Sequence, residues 1–327
     1  MRFGRMLVTF IGFTVMLLCA ELWLIGGLAA QGSRIVFSHL AFDNFEIYVM
    51  DADGGNRENL SNHPVHDEEP DWSPDGTKIT FVTNRNDGVY QVYVMDADGS
   101  NQIRLTYGPR DKRRPDWSPD GRKIAFTVHP NLRDDVWISH IDIIDAGGQN
   151  RERFEENAMQ PSWSPDGGEI AFVSGREGSA EIYVIGADGQ GIVRVTHGLS
   201  GGQSPSFSPD GLRIAYYSMN EEFHHVHVVG ADGNNRVRLT HTQEHHVDPA
   251  WSPDGKTIAY AVANDKLPAR SRIHLMTADG KHIKQLSNVR DGIDEHPDFN
   301  SVGLAVSPTS KTAAIWGRLK KTSSRFR

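Results

Sequence analysis

Short stretches of alternating apolar and polar residues recur along this chain, separated by turns rich in glycine, proline and aspartate. Lys78-Ile-Thr-Phe-Val82 and Lys123-Ile-Ala-Phe-Thr127 are typical, and Val92-Tyr-Val-Met95 shows the same β-rich composition. A period of two places alternate side chains on opposite faces of an extended strand. The pattern therefore predicts an all-β protein made of many short strands.

A longer repeat organises these strands. The segment Pro-Asp-Trp-Ser-Pro-Asp-Gly, or a close variant, begins at Pro70, Pro115, Pro161, Pro205 and Pro249, and a degenerate copy, Pro-Asp-Phe-Asn-Ser-Val-Gly, begins at Pro297. Successive copies start 45, 46, 44, 44 and 48 residues apart. A period in the forties with this much β-strand signal is typical of propeller blades.

Each repeat unit resolves into four predicted strands. Strand a is the Pro-x-Trp-Ser segment, and its Ser-Pro-Asp-Gly turn leads to strand b; strand c follows, then a turn that mostly reads Ala-Asp-Gly, then strand d. Residues 34–61 supply strands b, c and d without an a strand, while Pro297–Asn300 supplies an a strand with a poor continuation. We therefore expect a six-bladed β-propeller of four-stranded blades over residues 31–301, closed by N- and C-terminal segments that share one blade.

The repeat P-x-W-S-P-D-G-x-x-I-A-F, followed by I-Y-V-M-D-A-D-G and R-L-T, resembles the WD40-like (PD40) repeat of the TolB-like β-propeller family. The resemblance covers about residues 34–300. It implies a propeller outside the cytoplasm, since TolB is a periplasmic component of the Tol–Pal envelope system. TolB carries a further α/β domain before its propeller, whereas this sequence passes from its first 30 residues directly into the first repeat unit.

Residues 1–30 read as an export signal. Arg2 and Arg5 precede a mostly apolar stretch from Met6 to Ala30, and its small final residues suit cleavage. The stretch is also long enough for an uncleaved membrane anchor, so two locations stay open: periplasmic or secreted, or anchored with the propeller outside the cytoplasm. Residues 302–327 form a basic C-terminal tail whose role the sequence does not define.

Charge is distributed unevenly. The net charge is -8, with +1 on residues 1–30 and +6 on residues 311–327, which leaves -15 on residues 31–310. Nucleic-acid binding needs clustered lysine and arginine, so an acidic body argues against a nucleic-acid partner. Cys19, the only cysteine, lies in the N-terminal segment, so a cleaved chain has no disulfide.

The candidate binding site lies at the mouth of the central channel. The turns between strands a and b and between c and d barely vary, whereas the loops at the opposite end of each blade vary greatly, and a rigid scaffold with variable loops on one face places function on that face. The residues immediately before the motif prolines should ring the channel there: Glu69, Arg114, Gln160, Ser204, Asp248 and His296. The alternatives are a solvated rim and a pocket for a peptide, glycan or small ligand.

Metal binding and catalysis have less support. Imidazoles and carboxylates near the predicted mouth suit a transition metal if they converge (His66, Asp67, Glu69, His245, His246, Asp248 and His296), but no contiguous ligand motif is present. The sequence thus predicts no metal, no cofactor and no catalytic residue. It favours a non-catalytic, monomeric, exported propeller that binds a protein, a peptide or another envelope ligand. The alternative is a metal-dependent propeller lyase or hydrolase that acts in the channel.

Overall fold

The computed structural model describes residues 33–130, 138–198, 201–218, 222–264, 270–287 and 292–300. Within these ranges the regular structure consists of strands: β1 Arg34–Ala41, β2 Asn44–Asp51, β3 Glu58–Asn59, β4 Asp67–Trp72, β5 Lys78–Thr83, β6 Gln91–Asp96, β7 Ile103–Arg104, β8 Lys112–Trp117, β9 Lys123–Val128, β10 His140–Asp145, β11 Glu152–Glu156, β12 Met159–Trp163, β13 Glu169–Ser174, β14 Glu181–Gly186, β15 Val193–Arg194, β16 Gln203–Phe207, β17 Arg213–Ser218, β18 His225–Gly230, β19 Val237–Arg238, β20 His245–Trp251, β21 Thr257–Asn264, β22 Arg270–Thr277, β23 Ile283–Gln285 and β24 Ile293–Phe299. These ranges contain no helix long and apolar enough to span a bilayer. The predicted signal and the basic tail lie outside them.

Consecutive strands pair antiparallel because the repeated turns fix their register. In the first complete unit the Gly76 N–H donates to the carbonyl of Ser73 at 2.8 Å, and Gly76 takes a φ of 65° that suits glycine. Asp75 Oδ1 accepts from the hydroxyl of Ser73 and the N–H of Thr77. Trp72 then stands opposite Ile79 in the β4–β5 ladder. The turn residues found in the sequence are therefore those that hold strand a against strand b.

The strands form an all-β propeller whose sheets differ in size. Four sheets have four strands each: β4–β7, β8–β11, β12–β15 and β16–β19. The remaining eight strands form one sheet, in which β20–β23 and a second group made of β24 and β1–β3 join through a single parallel bridge between Ser271 and Ile293. The prediction of six separate four-stranded blades is wrong in this respect, because β22 and β24 approach closely enough to pair.

The two ends of the described propeller are joined as the sequence predicts. β24 pairs antiparallel with β1, placing Phe299 opposite Ile35 and Asp298 opposite Val36. Phe299 is buried in a cluster with Ile35 and Phe37. The strand missing from the first repeat unit is thus supplied by the C-terminal segment.

The hydrophobic core lies between neighbouring sheets. Trp117 packs with Val82 and Val94 of the preceding sheet and with Ile124 of its own. Trp72 and Trp251 occupy corresponding clusters. The repeated tryptophans are therefore packing residues, as their recurrence at one position indicates.

The repeated turns gather at one end of the sheets, called here the turn face. The N–H of Ala97, in a turn between strands c and d, donates to the carbonyl of Thr77, in a turn between strands a and b, and Ala146 bonds Arg122 in the same way. The variable connections lie at the other end. Parts of those connections lie outside the described ranges: residues 131–137, 219–221 and 265–269.

Candidate functional site

Six strands bring the six predicted ring residues to one cavity. Each belongs to the first strand of a repeat unit: β4, β8, β12, β16, β20 or β24. A cavity of about 120 Å³ is lined by all six ring residues, by the six motif prolines that follow them and by the residue after each proline. The structure therefore places Glu69, Arg114, Gln160, Ser204, Asp248 and His296 together at the channel, as the repeat pattern predicts.

Every ring residue has an unusual backbone conformation. The six φ values lie between 48° and 54°, in the left-handed region that non-glycine residues seldom adopt. The ladder to the neighbouring strand shifts register at each of these points, for example between Glu68 and Asp71 and between Val247 and Ala250. Six equivalent β-bulges thus turn six side chains toward the channel, which is a common use of a bulge next to a binding site.

The ring is crossed by an ion pair. Nη1 of Arg114 lies 2.9 Å from Oδ1 of Asp248, and Nε of Arg114 lies 3.5 Å from Oε1 of Glu69. The Arg114 backbone N–H also donates to Glu69 Oε2 at 2.7 Å. Arg114 is thereby held between two carboxylates contributed by different strands.

Electrostatics in the ring favour the charged forms. Burial alone would raise the pKa of Asp248, but Arg114 and His296 outweigh it and hold that pKa at about 2. Burial likewise opposes ionisation of Glu69, yet Arg114 and Arg113 lower its pKa below the ordinary value. The same carboxylates outweigh burial at Arg114 and raise its pKa. Both acids therefore carry negative charge at neutral pH, and Arg114 compensates part of it.

The remaining ring residues extend this network. Ser204 Oγ donates to Asp248 Oδ1 at 2.7 Å, and the Ser204 N–H donates to Gln160 Oε1 at 2.8 Å. Nε2 of His296 lies 3.5 Å from Asp248 Oδ2, and its Nδ1 is 3.2 Å from the hydroxyl of Ser38. Asp248 connects the ring residues, since its carboxylate is contacted by Arg114, Ser204 and His296.

A second set of carboxylates lines the same cavity two residues further along three of these strands, and the sequence analysis does not single it out. Asp71, Asp116 and Asp298 follow motif prolines and line the same cavity. Each accepts a backbone N–H from the next repeat unit: Asp298 from Trp72 at 2.8 Å, Asp71 from Trp117 at 2.9 Å and Asp116 from Trp163 at 2.7 Å. The aspartate of the Pro-Asp-Trp motif was the signal in the sequence, and it links one sheet to the next.

Burial raises the pKa of all three of these aspartates. At Asp71 the neighbouring charges of Asp298 and Asp116 raise it further, so the pKa lies well above the ordinary value. Burial is also the main cause at Asp116 and Asp298. Their ionisation is mutually unfavourable, which makes proton uptake by these three aspartates easier than by an isolated aspartate.

The other charged residues near the predicted mouth are engaged in separate pairs. Arg85 donates two hydrogen bonds to Asp67, and Arg113 bonds Glu68 at 2.8 Å while its guanidinium lies 3.4 Å from the centre of the Tyr90 ring. Asp294 accepts from His39 and Arg57. These pairs fix the strands that carry the ring rather than extending into the cavity.

The seven residues considered for a metal do not form one ligand set. The Phe45 N–H donates to Nδ1 of His66, and the His224 N–H donates to Nδ1 of His245. His246 is buried and contacts the hydroxyl of Thr242. In the ranges that the structure describes, no group of three or more His, Cys, Asp or Glu side chains is placed to hold a metal ion.

Comparison with known proteins identifies the fold independently. The family model for the PD40, TolB beta propeller domain matches residues 28–143 and 89–313. TolB of Acinetobacter baumannii superposes with a TM-score of 0.70 at 22% identity, over 82% of this chain and 66% of that one. TolB of Agrobacterium tumefaciens gives 0.64 at 21% identity, over 78% of this chain and 89% of that one.

An enzyme shares the architecture as well. Oligogalacturonate lyase of Vibrio parahaemolyticus superposes with a TM-score of 0.55 at 11% identity, over 78% of this chain and 74% of that one. A search of curated protein sequences finds no match. Identities this low carry the fold and no activity. The family model, by contrast, covers most of the chain, and the chain therefore belongs to the PD40 family of TolB β-propeller domains.

Proposed function

We propose that this protein is a non-catalytic propeller that binds a protein or peptide partner through its channel mouth and the surrounding variable loops. One observation carries the proposal. Six equivalent bulges present six different residue types, while the adjacent prolines repeat at all six positions. A purely structural ring needs no such variety, whereas recognition of one partner requires a specific arrangement of donors and acceptors.

The size and charge of the site define the part of the partner that enters. A cavity of about 120 Å³ holds several water molecules or one extended side chain, and a larger ligand must stay at the mouth. Arg114 is already bound by Asp248 and Glu69. A partner with a carboxylate would compete for Arg114, and a partner with a cationic group would add to the existing ring through Asp248 and Glu69.

The arrangement of six units around the channel belongs to this proposal. The eight-stranded sheet is held together at its middle by the single bridge between Ser271 and Ile293. We propose that its two halves act as separate blades, so that each of the six repeats contributes one ring residue from its own blade. The export-like pattern of residues 1–30 supports a location outside the cytoplasm.

A double variant tests the binding site without leaving a buried charge unpaired. Arg114→Ala alone would strand the carboxylate of Asp248, whose side chain is 9% exposed, and breaking such a pair is strongly destabilising. Arg114→Ala with Asp248→Ala removes both charges, and Glu69 keeps the Arg113 guanidinium at 3.7 Å and the backbone N–H of residue 114. We expect at least about a tenfold loss in partner capture from an envelope extract, equivalent to about 1.4 kcal/mol. Capture is quantified by mass spectrometry of the retained proteins.

The matched control is Arg122→Ala, which removes an exposed arginine from the turn face. It should leave capture unchanged. Equal capture by the double variant and the native chain, with both folded by circular dichroism, would place the binding site elsewhere. Stoichiometric metal in protein purified without added metal, lost on His296→Ala together with a lyase or hydrolase activity, would support the enzymatic alternative instead.

A further inference from the structure

The residues immediately before the ring residues form a second circle at the channel mouth, called here the collar. It consists of Glu68, Arg113, Met159, Gln203, Val247 and Glu295. Glu68 and Arg113 are bound to each other at 2.8 Å. Glu295 is the exception among the charged groups at the mouth, because none of the described residues forms a hydrogen bond or an ion pair with its carboxylate. The collar therefore contains one uncompensated acid.

The fold directs Glu295 toward the channel. The residue before it, Asp294, is bound by Arg57, so Glu295 points to the opposite side of β24. Glu295 stands opposite Ser38 in the ladder, and the hydroxyl of Ser38 accepts the N–H of Glu69 from the neighbouring sheet at 2.9 Å. Glu295 thus lies on the side of β24 that faces the ring, where its side chain is half-buried.

The charges around Glu295 favour an incoming cation. Burial raises the pKa of its carboxyl, and the charges of Asp248 and Glu68 raise it further, while His296 and Arg114 oppose this increase. Arg114 is already bound by ring carboxylates. A cation from outside would therefore compensate Glu295 without breaking a pair within the chain, whereas an anion would have to displace a carboxylate from Arg114.

The ring and the collar together carry more acid than base. Leaving His296 aside, four carboxylates face two guanidinium groups: Glu68, Glu69, Asp248 and Glu295 against Arg113 and Arg114. Both arginines have carboxylate partners. The excess of negative charge at the mouth is complementary to a cationic group of a partner.

An aromatic ring faces the same part of the mouth. In the other units the residue after the strand b aromatic is small or β-branched, whereas in β17 it is Tyr217; the others are Ser38, Val82, Thr127, Val173 and Ala261. As Ser38 points to Glu69 of the next sheet, Tyr217 points to Asp248 of the next sheet. Its ring stacks on His224 with a centroid distance of 5.5 Å.

Tyr217 and Glu295 lie on either side of Asp248. The strand that carries Asp248, β20, packs against β17 on one side and β24 on the other. Burial raises the pKa of Tyr217 to about 12, and the charges of Asp248 and Glu295 contribute to the increase, whereas Arg114 opposes it. The half-buried phenol and the unpaired carboxylate therefore border one space above the ring.

The collar itself shows which group fits an aromatic ring beside a carboxylate. The guanidinium of Arg113 lies 3.4 Å from the centre of the Tyr90 ring and 2.8 Å from Glu68. A planar guanidinium can stack on an aromatic face and bond a carboxylate at the same time, which a lysine ammonium cannot. At Tyr217 and Glu295 no described lysine or arginine completes the arrangement.

We propose that Tyr217 and Glu295 form a subsite for an arginine side chain of the protein or peptide partner. The guanidinium stacks on the Tyr217 ring and pairs with Glu295, as Arg113 does with Tyr90 and Glu68. The ion pair that crosses the ring stays intact below it. This inference rests on the proposed binding of a partner at the channel mouth, and it names the side chain that the mouth selects.

A blocked tripeptide, acetyl-Gly-Arg-Gly-amide, tests the subsite by itself. Its affinity for the full chain is measured by ligand-observed nuclear magnetic resonance. The citrulline peptide has the same shape without the charge, and the lysine peptide has the charge without the plane. We expect the arginine peptide to bind at least about tenfold more tightly than the citrulline peptide, equivalent to about 1.4 kcal/mol, and more tightly than the lysine peptide.

Two variants assign this preference to the two residues. Glu295→Gln should weaken binding of the arginine peptide about tenfold, because it removes a charge-assisted hydrogen bond. Tyr217→Val introduces the residue found at Val82 and Val173 and should weaken binding about threefold, the effect of one exposed cation–π contact.

The matched control is Glu177→Gln, which removes a carboxylate from another variable connection, where Glu177 binds Arg194. It should leave the affinity unchanged. Equal affinities for the arginine and citrulline peptides, or equal affinities of Glu295→Gln and the native chain, would overturn the proposal. So would an equal loss in Glu177→Gln, because net charge alone would then explain the binding.

Capture from an envelope extract connects the subsite to the partner. Glu295→Gln should reduce capture of the retained protein about tenfold, and the arginine peptide should compete with that capture while the citrulline peptide should not. If Arg114→Ala with Asp248→Ala abolished capture and Glu295→Gln did not change it, the arginine subsite would be wrong and the proposed function would stand. If the native chain captured no protein, the proposed function would fail, and the peptide titration would still decide whether the subsite binds a guanidinium.

Discussion

One position on the third strand of the repeat carries tyrosine in some units and histidine in others. Tyr48, Tyr93 and Tyr183 occupy equivalent positions on the third strand of their units, whereas His227 and His274 occupy it in the last two complete units. His227 is 5% exposed and stacks on Tyr216 with a centroid distance of 5.4 Å. Its Nε2 lies 3.1 Å from the Ser218 hydroxyl, and its Nδ1 has no hydrogen-bond partner among the described residues. Protonation of this ring would therefore bury an uncompensated charge.

The lowered pKa values of the buried histidines contribute a loss of stability in mild acid, which the raised pKa values of Asp71, Asp116 and Asp298 oppose. Burial, with further contributions from Arg236 and Arg238, lowers the pKa of His227 to about 3, and burial also lowers the pKa of His129, His246 and His274. The unfolded chain takes up these protons near pH 6.5 while the folded chain does not. The stabilisation is thus complete above about pH 6.5 and decreases as the pH falls, by at most about 1.4 kcal/mol per pH unit for each histidine.

His227→Tyr isolates one of these contributions. The variant introduces the aromatic residue found at this position in other units and removes one titrating group. We expect the dependence of the unfolding free energy on pH between 6.5 and 4.5 to become shallower by about 1 kcal/mol per pH unit, as measured by denaturant unfolding at several pH values. The control is His282→Tyr at an exposed turn position, which should leave the slope unchanged. An identical slope in His227→Tyr and the native chain would show that His227 takes up its proton at the same pH in the folded and unfolded states.

The sequence predicts whole strands correctly where the alternation of apolar and polar residues and the turn residues point to the same strand. Lys78–Val82 and Val92–Met95 were identified as strands and lie within β5 and β6. The closing strand was also identifiable, because the first repeat unit lacks the segment that Pro297–Asn300 supplies. The bulges are not identifiable from the sequence, since the same proline motif is compatible with the regular start of a strand. What reveals them is the backbone: six non-glycine residues with positive φ before six prolines.

The pairing of β22 with β24, which merges two groups of strands into one sheet, is not predictable from the sequence, for a physical reason. Whether β22 and β24 pair depends on how closely two strands approach at one end, and no residue pattern encodes that distance. The single bridge joins Ser271 to Ile293, neither of which belongs to the repeat motif. Similarly, the ring residues were predictable as neighbours of the motif prolines, but the ion pair from Arg114 across to Asp248 joins positions 134 residues apart and required the structure.

The bulges predict an unusual order of substitution effects at Gln160. Its φ is 54°, which glycine adopts freely and a β-branched residue resists. Both Gln160→Gly and Gln160→Val remove the Oε1 that accepts the Ser204 N–H, so their difference reports the backbone. We expect the valine variant to be less stable than the glycine variant by about 1–3 kcal/mol in denaturant unfolding.

Ser162 provides the comparison within the same strand. It lines the same cavity but does not have a positive φ, and a regular strand position favours valine over glycine. At Ser162 the order of the two variants should therefore reverse. If Gln160→Val proved as stable as Gln160→Gly, the bulge would have to relax at little cost, and the precise presentation of the ring side chains would lose its physical basis.

On the scale of the whole molecule, a propeller is stable only when its first and last sheets meet. The sheets contact their neighbours through apolar clusters, and the last contact in the circle depends on β24. Phe299 packs with Ile35 and Leu275, so one residue from the C-terminal segment joins both halves of the eight-stranded sheet. Asp298 adds a hydrogen bond to the backbone N–H of Trp72 in the next sheet. Loss of this segment would remove a core side chain and an intersheet hydrogen bond together.

Two truncated chains distinguish the contribution of β24 to closure of the propeller from the contribution of the basic tail. A chain that ends at His296 loses Asp298 and Phe299, leaves the Trp72 N–H without its acceptor and exposes the backbone of β1 beside Ile35 and Val36. Removing a buried phenylalanine alone costs about 3–5 kcal/mol, and an unpaired strand edge promotes association with other chains. We expect a clearly lower melting temperature and particles larger than a monomer by light scattering. A chain that ends at Ser310 keeps all of β24 and loses the basic segment, so it should melt close to the native chain and keep the native particle size. If the two truncated chains behaved alike, Pro297, Asp298 and Phe299 would contribute nothing to closure, and the pairing of Ile293–His296 with β1 and β22 would be enough to hold the first and last sheets together.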